Sequence, residues 1–438
     1  MKKVILLIII ICLMVSVFCI TAMAAETKGA DVLVVSGQDN EGKLEKIASY
    51  DDFEAGWNYA MGLAIDEEYL NNENYTRIVV DLLADWKAIN GEFSDDIFNG
   101  KGFNWDAIYF YDNARITLNM NVHTIDRGLT EYEYNGEVMY VSNGADVIIN
   151  GGKEGDPIVK LGENPGDIQL GTITGGFSCN GAGGIHINDD ANVVLNNVII
   201  KGNSVEDDQG IGIAVHDDAN LIMNGGKIVG NKGYRSVLGG GIYVDDASAT
   251  LNDVLISDNI ITHNYVGRGI VCSGAAAYVT FGNLTLNNCT IKNNSSPRFG
   301  GAIGILIGNV EMNNCIVTGN SAGIDGSAIH LNVGSCKVND SDITGNVNTN
   351  YDSVIFAESG DITLNNTKYD PYIRKFSAGE VYINNTASGQ EQTASIFGEG
   401  FAATTLSILA IIIAAADIGV TIYYCKKKAV PTADNTAE

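Results

Sequence analysis

The sequence predicts an all-β fold: a solenoid of short parallel strands stacked coil on coil, a parallel β-helix, with an N-terminal α-helical cap and a C-terminal transmembrane helix. Three observations predict it. A motif recurs every 26–28 residues through the middle of the chain. Asparagine pairs seven residues apart sit at one fixed place in that motif. Its apolar residues alternate with period two, and nothing repeats at a helical or heptad period.

The N-terminal segment comes first. Lys2 and Lys3 precede the apolar run Val4–Ile20, and Ala22-Met23-Ala24 has the small-x-small pattern of a cleavage site. Residues 1–24 therefore read as a secretory signal peptide. Residues 25–104 read as a cap region. Within it, Phe53, Trp57, Ala60 or Met61, and Ala64 are near helical spacing, which predicts an amphipathic helix at about 51–66 covering the open end of the solenoid. The strings RIVVDLLADW (77–86) and ARITLNMNVHTI (114–125) look like strands of the first coils.

The solenoid proper spans 105–385. One line of the repeat is a Gly or small residue followed by apolar-x-apolar: Gly184–Ile187, Gly212–Val215, Gly241–Val244, Gly269–Cys272, Ala302–Ile305, Ala328–Leu331 and Val354–Ala357. This is a short strand with one face buried. The second line holds the Asn pairs Asn196/Asn203, Asn224/Asn231, Asn252/Asn259, Asn287/Asn294, Asn313/Asn320 and Asn339/Asn346. In LTLNNCTIKNN the apolar positions are Leu284, Leu286, Cys289 and Ile291, and the alternation changes phase at Asn287-Asn288. Two strands therefore meet at a corner, giving three strands per coil. The Asn rows are structural. A corner residue must tolerate left-handed backbone angles, and a side-chain amide can bond the Asn above and below. Residues 151–180 break the period and are expected to form an extended loop.

After the solenoid, residues 386–400 read as a linker. Residues 401–425 are an apolar run long enough to cross a bilayer. Lys426, Lys427 and Lys428 place the tail, 426–438, on the cytoplasmic side. Asp417 lies within the span, where a carboxylate is expensive. No LPxTG-like wall-sorting motif precedes it. The expected location is a cell membrane, single-pass, with the N-terminal domain outside.

These coils resemble the right-handed parallel β-helix of the pectin-lyase-like superfamily, including its Asn ladders. Gly300-Gly301-Ala302-Ile303 and endings such as Ile200–Asn203 and Val317–Asn320 also resemble the GGAI and FxxN repeats of polymorphic outer-membrane adhesins. Here Ile or Val replaces the Phe of that pattern, and the chain ends in a helix where those proteins end in a β-barrel. The resemblance covers about 105–385 and implies a bacterial surface β-helix. Enzymes of this fold cleave uronic-acid polymers with clustered Asp, Lys and Arg; no NTD, GHG or RIK-like string of the pectin hydrolases occurs, and Arg268 and Arg298 stand isolated in the sequence.

Charge narrows the partners. Setting aside the lysines of the two ends and Asp417, Asp434 and Glu438, the external part holds 21 basic and 50 acidic residues, a net charge near −29. Such a surface repels nucleic acid, anionic lipid and polyuronates unless a cation intervenes. Three Asp pairs 28 residues apart, Asp189-Asp190, Asp217-Asp218 and Asp245-Asp246, would stack in two rows, a candidate calcium site with an ordinary Asp-rich turn as the alternative. Cys179, Cys272, Cys289, Cys315 and Cys336 fall outside the cell; Cys289 and Cys315 share an inward row, either as free thiols or as a disulfide. The histidines, His123, His186, His216, His263 and His330, form no local triad. The leading reading is a non-enzymatic adhesion or glycan- or partner-binding module on the cell surface. The alternative is a surface-tethered polysaccharide hydrolase or lyase.

Overall fold

The computed structural model describes residues 30–88, 107–153, 155–160, 169–179, 181–207, 209–235, 237–262, 274–349, 353–376, 378–384 and 397–399. The signal peptide, the transmembrane run and the tail lie outside these residues. Among the described residues, no helix is long and apolar enough to cross a membrane.

The N-terminal unit is a helix on an antiparallel edge. Helix α1 (Phe53–Ala64) starts at Asp52, whose carboxylate accepts from the Ala55 backbone N–H at 2.7 Å. Its buried face, Phe53, Trp57, Ala60, Met61 and Ala64, packs on the strands beneath it, with Trp57 edge-on to Phe110 at 4.9 Å. A short helix, α2 (Glu67–Asn72), follows. The strands are β1 (Leu33–Asp39), β2 (Leu44–Tyr50) and β3 (Tyr75–Leu82). β1 pairs antiparallel with both β2 and β3. β3 is the first parallel rung, pairing with Arg115–Asn119. The outer strand β2 carries Glu45 and Lys46, charges that discourage further pairing.

One coil shows the plan of the rest. Ile185–Ile187, Asn192–Asn196, Ile199–Lys201 and Ser204–Val205 follow one another. Each pairs in register and in parallel with its counterpart one coil later. The coils before residue 277 thus have four strands and not three, whereas those that begin at Ala277, Ile303 and Ile329 have the three expected. The first and second lie in one continuous sheet; the third form a ten-stranded sheet and the fourth a seven-stranded one, counted over the described residues. Inward side chains stack in columns such as Val193–Leu221–Ala249–Leu284–Val310–Cys336, all fully or almost fully buried. Cys289, Cys315 and Cys336 are buried free thiols within this core.

The two members of each Asn pair occupy different corners. The first row runs Asn119, Asn150, Asn196, Asn224, Asn252, Asn287, Asn313, Asn339, Asn365 and Asn384, half-buried to exposed at the end of the second strand. Each Nδ2 donates to the Oδ1 of the rung before it at 2.7–3.0 Å. The second row, Asn203, Asn231, Asn259, Asn294, Asn320 and Asn346, is buried between the third and fourth strands. There each Oδ1 accepts from the backbone N–H and the Nδ2 of the rung before it. The left-handed backbone belongs to neighbours of the ladder residues: Asn197 (φ 54°), Asp253 (57°), Asn288 (54°) and Asn314 (54°) after the first row, Gly202 (64°) and Asn293 (58°) before the second.

Three further expectations are corrected. The break at 151–180 is shorter, because the coil resumes at Thr172–Thr174 and Phe177–Ser178, in register with the coils on either side. Gly269–Cys272 is not the repeat strand; Ala277–Thr280 pairs with Ile242–Asp245, and 263–273 lie outside the described residues. The linker contains a strand, Phe397–Glu399, paired with Ile373–Phe376.

From residue 277 the corner between first and second strands straightens into single eleven-residue strands, Ala277–Asn287, Ile303–Asn313 and Ile329–Asn339. Gly282, Gly308, Gly334 and Gly360 stack at that bend, and a Cβ on Gly334 (φ 108°) would overlap the carbonyl oxygen of Gly308.

Candidate functional site

The outer face of the second strands is flat and carries three parallel rows of side chains. The amide row just described forms one edge. The middle row is Thr117, Ile148, Val194, Ile222, Thr250 and Thr285, followed by Glu311 and Lys337, which pair at 3.1 Å, and then by Thr363 and Tyr382. The other edge runs from Arg115 and Asp146 through Asn192, Asn220, Ser248, Asn283, Asn309 and Ser335 to Asp361 and Glu380. Three of its members are bonded in turn, Asn309 to Asn283 at 3.1 Å and Ser335 to Asn309 at 2.7 Å. The alternation that buries Val193 and Leu195 turns Val194 outward, so the same period-two pattern writes both core and surface. The coil rise sets one rung every ~4.8 Å along this face.

At its N-terminal third the face is roofed. The segment after Asn150 leaves the coil, and residues 151–153 and 155–160 fold back over the amide row. Asn197 clamps them: its Oδ1 accepts from the Val159 backbone N–H at 2.8 Å and its Nδ2 donates to the Pro157 carbonyl at 2.9 Å. Asp156 accepts from the Lys153 backbone N–H at 2.7 Å and tightens the turn. A cleft of about 420 Å³ lies beneath, lined by Asn119, Asn150, Asn196, Asn197, Lys153, Asp156 and Ile158.

A family described as a right-handed beta helix region matches residues 106–329, just over half of the 438 residues. The chain belongs to the right-handed beta helix family. No curated protein and no solved structure matches it.

Within this β-helix the predicted Asp rows are displaced by one residue. His216, not Asp217, pairs with Asp245, because the step between these coils is one residue longer than the step before. At the turn the Asp190 backbone N–H donates to the Asp217 carbonyl and the Asp218 N–H to the Asp246 carbonyl, and Asp245 belongs to the strand. Asp189, Asp190, Asp217, Asp218 and Asp246 all have φ between 47° and 61°, the backbone of a tight turn. Burial, then neighbouring acids, raises Asp189 and Asp217 above the usual carboxylate range. Among the described residues, no group of three or more His, Cys, Asp or Glu is arranged to hold a metal ion.

The first strands of the β-helix carry a second feature that sequence reasoning missed. Tyr111, Tyr109, Tyr140, His186, His216, Tyr243 and Tyr278 stack in succession with centroids 4.8–5.9 Å apart. Burial lowers His186 and takes His216 down to about 4. Burial, with Asp217 and Asp246 nearby, lifts Asp245 to about 6 despite a hydrogen bond from Tyr243. Tyr109, Tyr140, His186, Tyr243 and Tyr278 share one register column, in which Ala214 stands where the stack is completed by His216 two residues on, so the true register was needed to see it.

Farther along, the β-helix gathers residues scattered in sequence. His330 lies between Phe299 (4.6 Å) and Phe356 (5.3 Å), in the same outward row as His186. Its Nε2 is 3.9 Å from Glu358 Oε1, and Glu358 Oε2 accepts from Asn332 at 3.0 Å. Asp325, buried, accepts from Arg374 at 2.9 Å and from Ser353 at 2.7 Å. Arg298 is not isolated, since its guanidinium lies 5.4 Å from the Phe299 ring centre. Burial, then Asp325, lifts Glu358 to about 7.

Proposed function

We propose that this β-helix is a non-enzymatic, membrane-anchored surface protein that binds neutral carbohydrate along the flat face of its second strands. The observation that carries the reading is the three-row face itself. Over the coils from Asn192 to Asn283 the amide and hydroxyl rows match sugar hydroxyls, and the β-branched row from Val194 to Thr285 between them offers apolar contact for the flat side of a sugar ring. The negative surface charge disfavours polyanionic polymers. The apolar run at 401–425 and the lysines after it support a single-pass anchor, and the N-terminal helix a cap. The tight-turn geometry at Asp189, Asp217 and Asp246 supports an ordinary turn; calcium there is a proposal that calorimetry with the metal alone would decide.

The test is retention of the full chain, in detergent, on immobilised neutral polysaccharides. Wild type should be retained, and Thr285→Arg, which sets a bulky charge mid-face, should not. No retention of wild type on any polymer would sink the reading.

A second reading rests on Asp325, Glu358 and His330. Two neighbouring carboxyl groups, of which Glu358 is raised by burial, can serve a glycoside hydrolase. Release of reducing ends from a neutral polysaccharide, lost in Glu358→Gln, would promote it over the first.

A further inference from the structure

The roofed cleft occurs where the coil is interrupted by an insertion, and its lining differs from the open face. Asn150 donates one Nδ2 hydrogen to Asn119, and Asn196 donates one to Asn150. A primary amide has two N–H groups and two acceptor lone pairs. At Asn119, Asn150 and Asn196 the row therefore uses one of each and leaves one of each. Successive rungs are one coil apart, ~4.8 Å. The roof adds Ile158, 38 % exposed, as an apolar wall. Lys153 and Asp156 contribute opposite charges, so the cleft as a whole favours a neutral occupant. Its volume, about 420 Å³, is that of a small-molecule pocket.

We propose that this cleft binds a neutral sugar through an acetamido substituent. The N–H and C=O of a secondary amide point in opposite directions. One such group accepts from the free N–H of one rung and donates to the free lone pair of the next, so it bridges two coils as an added rung. Its methyl group packs on Ile158. A plain hydroxyl in the same place has neither the planar donor–acceptor pair nor the methyl. The inference rests on the carbohydrate-binding reading above and names the substituent the cleft selects.

The experiment titrates the full chain with N-acetylglucosamine and with glucose, following heat or chemical-shift changes. N-acetylglucosamine should bind at least about tenfold more tightly, a ΔΔG of about 1.4 kcal/mol. Ile158→Asp should erase that difference while leaving the melting temperature unchanged. Thr285→Arg should do the reverse, abolishing retention and sparing the monosaccharide. Equal affinity for the two sugars, or an unaltered preference in Ile158→Asp, overturns the inference. If polymers are still retained through the Thr285 face, the proposed function survives that failure; if nothing binds, both fall.

Discussion

The carboxylate of Asp81 accepts a hydrogen bond of 2.8 Å from the side-chain amide of Asn119. Asp81 occupies the ladder position of the first parallel rung. A carboxylate can only accept, so Asn119 must turn its nitrogen toward Asp81 and its oxygen toward Asn150. Every later rung inherits that orientation down to Asn384. The buried row runs the other way, because backbone N–H groups can only donate and force each Oδ1 toward the preceding coil. The two rows are antiparallel chains of amide dipoles in one solenoid.

Replacing Asp81 tests that polarity. Asp81→Leu leaves the Asn119 donor without its charged acceptor and should cost about 1.5–3 kcal/mol. Asp81→Asn, whose oxygen can still accept, should cost clearly less. Urea unfolding of both variants gives the comparison; equal losses would mean that the first rung does not set the row.

The buried row should matter more than the half-buried one. Asn259→Ala removes the acceptor of the Asn231 backbone N–H and Nδ2 and the donor to the Ile228 carbonyl. Several buried groups left unpaired at ~1–3 kcal/mol each should make the loss at least about 3 kcal/mol. Asn252→Ala, where water can replace the lost partner, should cost about 1 kcal/mol. Thermal melts of the two variants rank them.

Gly334→Ala should destabilise by roughly 1–3 kcal/mol, because the residue would hold a left-handed angle and its methyl would press on the Gly308 carbonyl. Gly62→Ala, at an open helical position, should be neutral or stabilising. Chemical denaturation separates the two signs.

Acid stability should be dominated by the stacked histidines. Burial takes His216 down to about 4 and His330 to about 3, below the ordinary histidine value, so the unfolded chain binds the extra protons. Their contribution is present above about 6.5 and is lost as pH falls toward 3–4. Asp245 and Glu358, raised to about 6 and about 7, act oppositely and lose stability as pH rises through those values. His330→Phe keeps the stack with Phe299 and Phe356, and should flatten the melting temperature between pH 6.5 and 4 while keeping the decline toward 7 that Glu358 causes. An unchanged acid limb in that variant would refute the assignment.

The seven-residue Asn spacing made the coil legible, since it survives insertions elsewhere. The interruption between Asn259 and Asn294 did not blur it, yet it misplaced the strand at 269–272 because Gly-Ile-Val-Cys imitates the true Ala-Tyr-Val. The fourth strand was invisible because a two-residue segment such as Ser204–Val205 shows no alternation. The Asp pairs looked in phase because their spacing counts residues, whereas the hydrogen bonds place Asp245 opposite His216. The outward rows were implicit in the residues between the apolar positions. The roof over them was not, since its seat depends on Asn197, which reads as an ordinary corner asparagine.

The antiparallel seat of β1 on β3 has a consequence for how the molecule is made. In that sheet the parallel ladder can be extended from one end only, the C-terminal one. Each coil finds its template in the coil before it, down to the orientation of a single amide. A chain delivered N-terminus first would therefore present each coil to a neighbour already in place, and a coil damaged early would withhold that neighbour from the next.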